Sequence, residues 1–335
     1  MEDGAKILII QTAFIGDLVL TTPLIRALGR HHRLHVLVTP VTANLLHGRP
    51  DVERVVVYDK RSGDRGAAGM MRIVTRLRRE RYDRVVSPHR SLRSALIAFL
   101  CGASQRVGFD NAAAARLYNR RIAYDQSLHE IERNLALAGG GDYTRDDLRP
   151  NVHADSQDRE AVDRLLPRDR TAVRVAMAPG SVWSTKRWPL SYFQAVTREI
   201  CKLGMEVVLV GGAGDSELCQ QIKNCAPSSV INTAGQLTLR GSAELLRRCV
   251  LLLSNDSAPM HLSVAAHTPV IALFGPTVPE FGFAPSGERD AVLQIPLSCR
   301  PCGLHGGRRC PIGTHDCMNS IEPGIVVRMI RSRVA

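Results

Sequence analysis

The sequence predicts an α/β protein with two doubly wound, Rossmann-like domains that face an interdomain cleft. Short β-branched runs alternate with helical patterns in both halves of the chain, which is typical of parallel sheets with crossover helices. A charged, weakly apolar stretch near residues 155–171 separates the halves. We expect an N-terminal domain over residues 1–155, a linker over 156–171, and a C-terminal domain over 172–320. The last residues, 321–335, are expected to form a helix that packs back toward the first domain.

The pattern also predicts individual elements in each half. In the first half, strands are expected at residues 6–10, 34–38, 54–58 and 84–87, and helices at 22–30, 41–46 and 69–81. In the second half, strands are expected at residues 173–178, 206–210, 250–254 and 269–274, and helices at 191–203, 215–223, 242–249 and 258–266.

Composition narrows the class of protein. A chain of 335 residues can form two domains that each bury a core. Hydrophobic residues make up 44% of the chain and aromatic residues only 4%, which favours aliphatic α/β cores over an aromatic-rich β-sandwich. No run approaches the roughly 18 apolar residues of a membrane span. The first four residues lack the basic region of a signal peptide, so we expect a cytoplasmic protein.

The formal net charge of +12 indicates a negatively charged partner, such as nucleotide phosphates, sugar acids, nucleic acid or an anionic membrane. The densest basic block, residues 72–84, places arginines above the apolar stripe Ile73, Val74 and Leu77. This block is either a solvated helix face or a membrane contact. The sequence has no helix-turn-helix, no RNA-recognition signature and no basic strand with interleaved aromatics, so nucleic acid is not an expected partner.

Asp17 is a lone acid in the apolar segment that joins the first strand to the first helix. Acids at this edge of a parallel sheet lie where open α/β folds build their sites. Asp17 is therefore a candidate general base, and the alternative is a helix cap. Its apolar neighbours Phe14, Ile15 and Leu18 are expected to raise its pKa toward that of a useful base.

The loop at residues 178–189 has the composition of a diphosphate site. Gly180 allows close approach of backbone amides to a ligand, Ser181 offers a hydroxyl, and Lys186 brings positive charge. The Walker spacing G-x-x-x-x-G-K-[ST] is absent, so Lys186 would act as a charge clamp. The alternative is an exposed basic loop above a packed Trp188.

Two further turns also follow strands in the second half. At residues 253–266 a strand ends at Asp256 and a helix opens, so the acid could accept sugar hydroxyls while the helix amides meet phosphate. His261 in that helix is either a ligand contact or a structural hydrogen-bonding residue. At residues 210–217 three glycines precede Asp215, which either borders a nucleotide or caps the next helix.

Four co-linear motifs resemble the ADP-heptose lipopolysaccharide heptosyltransferases of glycosyltransferase family 9. They are GDLVLTTP at 16–23, PGS with KRWP within 179–189, NDSAPMH at 255–261 and LFGPT at 273–277, and they span nearly the whole chain. The resemblance implies a GT-B fold whose first domain receives a lipid-linked acceptor and whose second domain holds ADP-heptose. It also implies that the chemistry needs no cofactor.

The resemblance further implies roles for single residues. Asp17 matches the family's general base, Lys186 the lysine that steadies the diphosphate, and Asp256 the acid that binds the donor near its heptose. Other positions match donor contacts, with Leu237 expected at the adenine: Gly180, Ser181, Leu237, Ser257, Ala258 and His261.

The implied reaction is inverting transfer of heptose from ADP-L-glycero-D-manno-heptose to the heptose-Kdo-lipid A inner core. The expected acceptor contacts are Gly16, His89, Arg90 and Arg93, because cations suit the phosphates and carboxylates of a core oligosaccharide. Solvation of the arginines is the alternative. The enzyme is expected at the cytoplasmic face of the inner membrane. Another core position or a protein acceptor remains open, whereas a regulator that only binds nucleotide sugar would lack the base or the clamp.

The cysteine-rich segment, residues 299–317, carries Cys299, Cys302, Cys310 and Cys317. One C-x-x-C pair followed by two more cysteines predicts a structural zinc or iron site, with reduced thiols or a local disulfide as alternatives. The pattern resembles the cysteine-rich tail of many heptosyltransferase II-like sequences and favours that branch of the family.

Overall fold

The protein divides into two units in a computed structural model that describes residues 4–166 and 172–334. Unit 1 comprises Met1–His153 and unit 2 comprises Ala154–Ala335. Each unit contains one six-stranded sheet, and all the paired strands run parallel. The alternating pattern of the sequence thus predicted the class of both units correctly.

Unit 1 has six strands and five helices among its described residues. The strands are β1 (Lys6–Ile10), β2 (Arg33–Val38), β3 (Arg54–Val57), β4 (Arg84–Ser87), β5 (Gln105–Phe109) and β6 (Arg120–Ile122). The helices are α1 (Ile15–Gly29), α2 (Pro40–Ala43), α3 (Gly66–Arg79), α4 (Leu92–Leu100) and α5 (Glu130–Ala136). The sheet order is β3-β2-β1-β4-β5-β6, so the strand order reverses between β1 and β4.

Unit 2 repeats this plan. Its strands are β7 (Arg174–Ala178), β8 (Glu206–Leu209), β9 (Val230–Asn232), β10 (Leu251–Asn255), β11 (Val270–Phe274) and β12 (Ala291–Gln294). Its helices are α6 (Ser156–Leu165), α7 (Leu190–Lys202), α8 (Ser216–Lys223), α9 (Leu239–Arg247), α10 (Ala258–Ala265), α11 (Asp316–Asn319) and α12 (Pro323–Val334). The order β12-β11-β10-β7-β8-β9 reverses between β7 and β10.

The middle residues of the central strands are apolar because both sheet faces are covered. Ile7, Leu8, Ile9 and Ile10 of β1 are fully buried, as are all five residues of β11 to within 1%. Such runs exclude water from both sides of the sheet, and the strand ends are left as the places where polar side chains collect.

Helix α1 begins at Ile15, seven residues before the predicted start at residue 22. Pro23 lies inside it and cannot donate a backbone hydrogen bond to the carbonyl of Val19. The Thr22 hydroxyl donates to that carbonyl instead, at 2.7 Å. The helix therefore continues through the proline, and Asp17 lies in its first turn.

The segment expected to be a linker contains α6, which packs against α9 within unit 2. Asp155 caps α6 by accepting the Asp158 N–H at 3.0 Å, and Arg240 of α9 lies 2.6 Å from Asp155 and 3.0 Å from Asp158. Charged residues that looked like linker composition thus form a cap and an ion-pair network. The rest of the expected linker, residues 167–171, lies outside the described residues.

The C-terminal helix α12 packs against α7 and β10 of its own unit. Its apolar side is buried at Val326 and Ile330, which join the core around Trp188 and Phe193. That the helix also packs toward the first domain stays a prediction. Within the described ranges, no helix combines the length and the apolar character that a membrane crossing needs.

Candidate active site

The predicted site residues collect where the strand order of each sheet reverses. In unit 1, Asp17 follows β1, and His89 and Arg90 follow β4. In unit 2, the loop with Lys186 follows β7, and Asp256 follows β10. Parallel strands place their carboxyl ends at one edge, and a reversal of strand order opens a crevice there. The topology therefore brings each group together within its own unit.

Asp17 is the third residue of α1 and is partly buried. Its carboxylate accepts the backbone N–H of Phe14 at 3.2 Å, so it also helps to cap the helix. Burial raises the pKa of Asp17, while the N–H groups of Phe14 and Asp17 and the charge of Arg90 act to lower it. The net shift is upward, as the apolar neighbours predicted. Capping and base chemistry are therefore compatible in this residue.

His89, which follows β4, lies near three hydroxyl groups, of which that of Ser91 is the most distant at 3.4 Å from Nδ1. The oxygens of Thr12 and Ser94 lie 3.1 and 2.9 Å from its Nδ1. Burial and the charges of Lys60 and Arg90 lower the pKa of His89 to about 4. The imidazole is thus neutral near neutral pH, and the positive charge beside it comes from Lys60 and Arg90. Lys60, which sequence patterns did not single out, donates to the carbonyl oxygen of Thr12 at 2.6 Å.

Arg90 stacks on an aromatic ring that no sequence pattern had singled out. Its guanidinium carbon lies 4.0 Å from the ring centre of Tyr124, and that of Arg133 lies 4.6 Å from the same ring. The Tyr124 hydroxyl donates to Glu130 at 2.8 Å. Stacking fixes the guanidinium plane of Arg90 without using its N–H donors. Those donors stay available for an anion.

Lys186 and Asp256 form a buried ion pair in unit 2. The Lys186 Nζ lies 2.5 Å from the Asp256 Oδ2, and the two residues are 9% and 8% exposed. The Thr277 hydroxyl donates to the same carboxylate oxygen at 2.6 Å. Sequence patterns placed Thr277 in a turn after a strand but assigned it no role. The arrangement joins three loops, which follow β7, β10 and β11.

Asn255, the last residue of β10, ties the strand ends together. Its side-chain amide donates to the carbonyl of Pro179 at 2.9 Å, and its Oδ1 accepts the N–H of Trp188 at 3.1 Å. Asn255 is fully buried. It therefore fixes both ends of the loop that carries Lys186. The motif at 255–261 includes Asn255, but the sequence alone did not assign this role to it.

The glycine at position 180 lies against Asp215. A Cβ at Gly180 would overlap the Asp215 carboxylate, so no larger residue fits without displacing its neighbours. Asp215 accepts the N–H of Gly212, which precedes it, at 2.9 Å, but its side chain makes no hydrogen bond to the first amides of α8, so the predicted side-chain cap of that helix is not formed. Ser181 is buried and accepts the N–H of Trp183 at 3.3 Å. The start of the loop is thus closely packed, and any side chain at position 180 would have to displace the Asp215 carboxylate.

The remaining predicted donor contacts lie at the same edge of the second sheet. Ser257 precedes α10, Ala258 is its first residue, and His261 is buried in its first turns. Leu237 is half-buried in the connection from β9 to α9. Leu237 follows β9, the outer strand on one side of β7, and Asp256 follows β10, which lies on the other side.

The metal site predicted in the cysteine-rich segment is not supported. Among residues 4–166 and 172–334, no group of three or more His, Cys, Asp or Glu side chains is arranged to hold a metal ion. The Cys302 thiol contacts the carbonyl of Cys299 at 3.3 Å, and Cys317 is buried in the apolar core beside Met318. The cysteines are free thiols, which agrees with the alternative of reduced thiols. A hydrogen bond thus holds the Cys302 sulfur, and apolar packing holds that of Cys317.

Comparison with known proteins places the chain in a family. The model of glycosyltransferase family 9 (heptosyltransferase) matches residues 70–308. The chain belongs to glycosyltransferase family 9. Lipopolysaccharide heptosyltransferase 2 of Salmonella typhimurium LT2 is 27% identical to it over 98% of both chains.

Solved structures of glycosyltransferase family 9 share its fold. The family 9 glycosyltransferase of Veillonella parvula matches with a TM-score of 0.88 at 21% identity and covers 100% of this chain and 98% of that one. The E. coli ADP-heptose LPS heptosyltransferase II matches with a TM-score of 0.80 at 23% identity over 98% of both chains. The predicted family and the predicted GT-B fold are thereby confirmed. The chain is a glycosyltransferase.

Proposed function

We propose that this glycosyltransferase transfers heptose from ADP-L-glycero-D-manno-heptose to the heptose-Kdo-lipid A inner core of lipopolysaccharide, with inversion at the anomeric carbon. The observation that carries the proposal is the buried Lys186–Asp256 pair at the reversal of the second sheet. A cation and an acid held side by side suit a diphosphate joined to a sugar. Relatives named heptosyltransferase 2 support the choice of sugar and acceptor.

In the proposed reaction, Asp17 removes the proton from an acceptor hydroxyl as its oxygen attacks the anomeric carbon of the donor. The upward pKa shift of Asp17 supports this role, because a general base works best when its pKa approaches the working pH. Arg90 and Arg93, with neutral His89 and buried Gly16, are the proposed acceptor contacts. The stacked guanidinium of Arg90 would meet an acceptor phosphate or carboxylate.

The bond between the anomeric carbon and the diphosphate breaks in the same step, and ADP leaves with the developing negative charge. Lys186 stabilises that charge, and the amides at the start of α10 add donors that favour an anion. Asp256 accepts sugar hydroxyls and keeps Lys186 in place before the donor binds. The proposed donor contacts Gly180, Ser181, Ser257, Ala258, His261 and Leu237 complete the site. The proposed base belongs to unit 1, and the proposed clamp belongs to unit 2.

The proposal is tested by product analysis. The protein is incubated with ADP-heptose and Kdo-lipid A acceptors that carry no heptose, one heptose or two, and the products are identified by mass spectrometry and linkage analysis. We expect one added heptose on the acceptor that already carries one, with ADP released in equal amount. Transfer only to the acceptor without heptose, or only to a protein, would reject the proposed acceptor. Absence of ADP release with every acceptor would reject the reaction.

We also propose that the enzyme works at the cytoplasmic face of the inner membrane and contacts it through α3 and α4. A groove of about 520 Å³ between these helices is lined by Met71 and Leu100 and by Arg78, Arg79 and Arg81. Met71 and, on the neighbouring helix, Phe99 are 48% and 47% exposed. Exposed apolar side chains ringed by arginines suit an anionic lipid surface, where the chains insert and the guanidinium groups meet headgroups.

Vesicle binding tests this contact. Each arginine near an anionic surface contributes about 1 kcal/mol, so replacing Arg76, Arg78 and Arg79 by glutamine is expected to reduce partitioning onto phosphatidylglycerol vesicles on the order of 100-fold. The matched control replaces Arg328, Arg331 and Arg333 of α12, which removes the same charge from unit 2. Equal losses in both variants would show that net charge alone drives binding and would contradict the proposed surface. Binding to neutral phosphatidylcholine is expected to be weak throughout.

A further inference from the structure

The cysteine-rich segment holds the loop that carries Lys186, and it does so through Thr185. The Thr185 hydroxyl donates to the carbonyl of Gly307 at 2.8 Å and accepts the Gly307 N–H at 2.8 Å. The Thr185 N–H donates to the same carbonyl at 3.2 Å. The Nε2 of His315 lies 2.7 Å from the Thr185 carbonyl, so this nitrogen carries the proton and donates. Every polar group of Thr185 is thus bonded to the segment.

The same segment also holds the turn that supports Asp256. The Cys302 N–H donates to the carbonyl of Pro276 at 2.8 Å, and Arg300 donates to the carbonyl of Thr277 at 2.7 Å. The Thr277 hydroxyl in turn donates to Asp256. One segment therefore reaches both members of the Lys186–Asp256 pair, from the loop after β7 and from the turn after β11.

Gly306 shows how closely the segment lies on the clamp. Its φ of +76° is in the left-handed region, and a Cβ there would lie 3.1 Å from the Thr185 Oγ1 and 3.4 Å from the Lys186 Cγ. Backbone of the cysteine-rich segment thus runs close to the aliphatic stem of Lys186. A backbone this near reduces the number of rotamers open to a side chain that is otherwise highly flexible.

We propose that the cysteine-rich segment is a positioning element for the donor diphosphate: Thr185 and His315 fix the loop of Lys186, and Arg300 fixes Thr277 against Asp256. The inference rests on the proposed function, because it takes Lys186 and Asp256 as the donor site. A clamp held in its working geometry before the donor arrives loses less conformational entropy on binding and keeps its charge where the leaving group needs it. The segment then acts on catalysis through hydrogen bonds to the loop backbone, without touching the substrate.

The test removes single hydrogen bonds and then restores them. Thr185→Val keeps the shape of the side chain but removes the acceptor of the Gly307 N–H and one of the two donors to the Gly307 carbonyl. We expect ADP affinity, measured by calorimetry, to fall about ten-fold. Thr185→Ser restores the hydroxyl and is expected to bind ADP within about two-fold of the wild type. His315→Leu is expected to weaken ADP binding, and His315→Gln, whose amide can donate to the same carbonyl, to recover most of it. In activity assays, Thr185→Val and His315→Leu should raise the KM for the donor and lower kcat.

The control is Thr268→Val, which removes a buried hydroxyl that donates to the carbonyl of Leu246 at 2.7 Å, before β11 at the opposite edge of the sheet. It is expected to lower the melting temperature and leave ADP affinity unchanged. The inference is overturned if Thr185→Val and His315→Leu bind ADP as the wild type does, or if the Ser and Gln variants do not rescue. If Thr185→Val does not fold, the comparison of His315→Leu with His315→Gln tests the inference instead. If Lys186→Met also binds ADP normally, the failure lies in the proposed function.

Discussion

Replacing Asp17 by asparagine is expected to lower heptosyl transfer by about 10²–10⁴-fold, the range that a positioned general base contributes. Asparagine has nearly the same shape, and its side-chain oxygen can still accept the Phe14 N–H that Asp17 accepts at 3.2 Å. The helix start is therefore preserved while the basic carboxylate is lost. ADP affinity should not change, because the proposed donor contacts belong to unit 2. Steady-state kinetics and calorimetry on the same sample measure both quantities.

The pKa of Asp17 adds two checks to this prediction. Burial raises it above the ordinary value, so kcat/KM should fall toward acid at a higher pH than an exposed carboxyl would give. A carboxyl with a raised folded-state pKa loses stabilisation as the pH rises through that pKa, because the unfolded state releases its proton first. Asp17→Asn should therefore gain in melting temperature relative to the wild type over the pH range that begins at the ordinary carboxyl pKa and rises from it. A variant that transfers heptose normally, or whose relative stability falls over this range, would exclude Asp17 as a buried base.

Much of the fold could be predicted because the central strands carry unambiguous patterns. The runs at 6–10 and 84–87 match β1 and β4, and the helix expected at 258–266 matches α10 to one residue. Strand β5, by contrast, begins with Gln105 and contains Gly108, which local patterns do not favour. A Cβ at Gly108 would lie 2.6 Å from the ring of Tyr118, so the glycine is required by a contact that only the folded chain reveals.

The candidate site likewise contains residues that the sequence could predict and residues that it could not. Asp17, Lys186 and Asp256 lie in motifs with recognisable chemistry, and the alternation of strands and helices brings each to a sheet edge. Tyr124 and Thr277 acquire their importance from partners far away in the sequence, Arg90 for the first and Asp256 for the second. No spacing rule connects such pairs. The cysteine spacing predicted a metal site that the structure does not support, and it gave no sign of the hydrogen bonds by which this segment holds Thr185.

Replacing Lys186 by methionine is expected to lower both the affinity for ADP and the stability of the protein. ADP affinity should fall on the order of 100-fold, because the proposed charge-assisted contact of Lys186 to phosphate is lost. Stability should fall by about 3–5 kcal/mol, because Asp256, 8% exposed, loses the ammonium group 2.5 Å away and remains a buried charge without an opposite charge beside it. Lys202→Met is the matched control, since the Lys202 side chain is 70% exposed and its pairing with Glu199 contributes little.

A double variant separates the two effects. The double variant combines Lys186→Met with Asp256→Asn, so no carboxylate is left buried without its lysine. The side-chain amide oxygen at position 256 can still accept the Thr277 hydroxyl. The free energy of unfolding should therefore return to within about 1 kcal/mol of the wild type, while ADP binding stays lost. Chemical denaturation and calorimetry on the four members of the cycle measure this. If ADP binding returned together with stability, Lys186 would serve only to neutralise Asp256, and a diphosphate clamp at this position would be rejected. If neither ADP binding nor stability returned, the Lys186–Asp256 pair would be needed for the local fold. The loops after β7 and β10 would then stabilise each other by more than the hydrogen bonds between them.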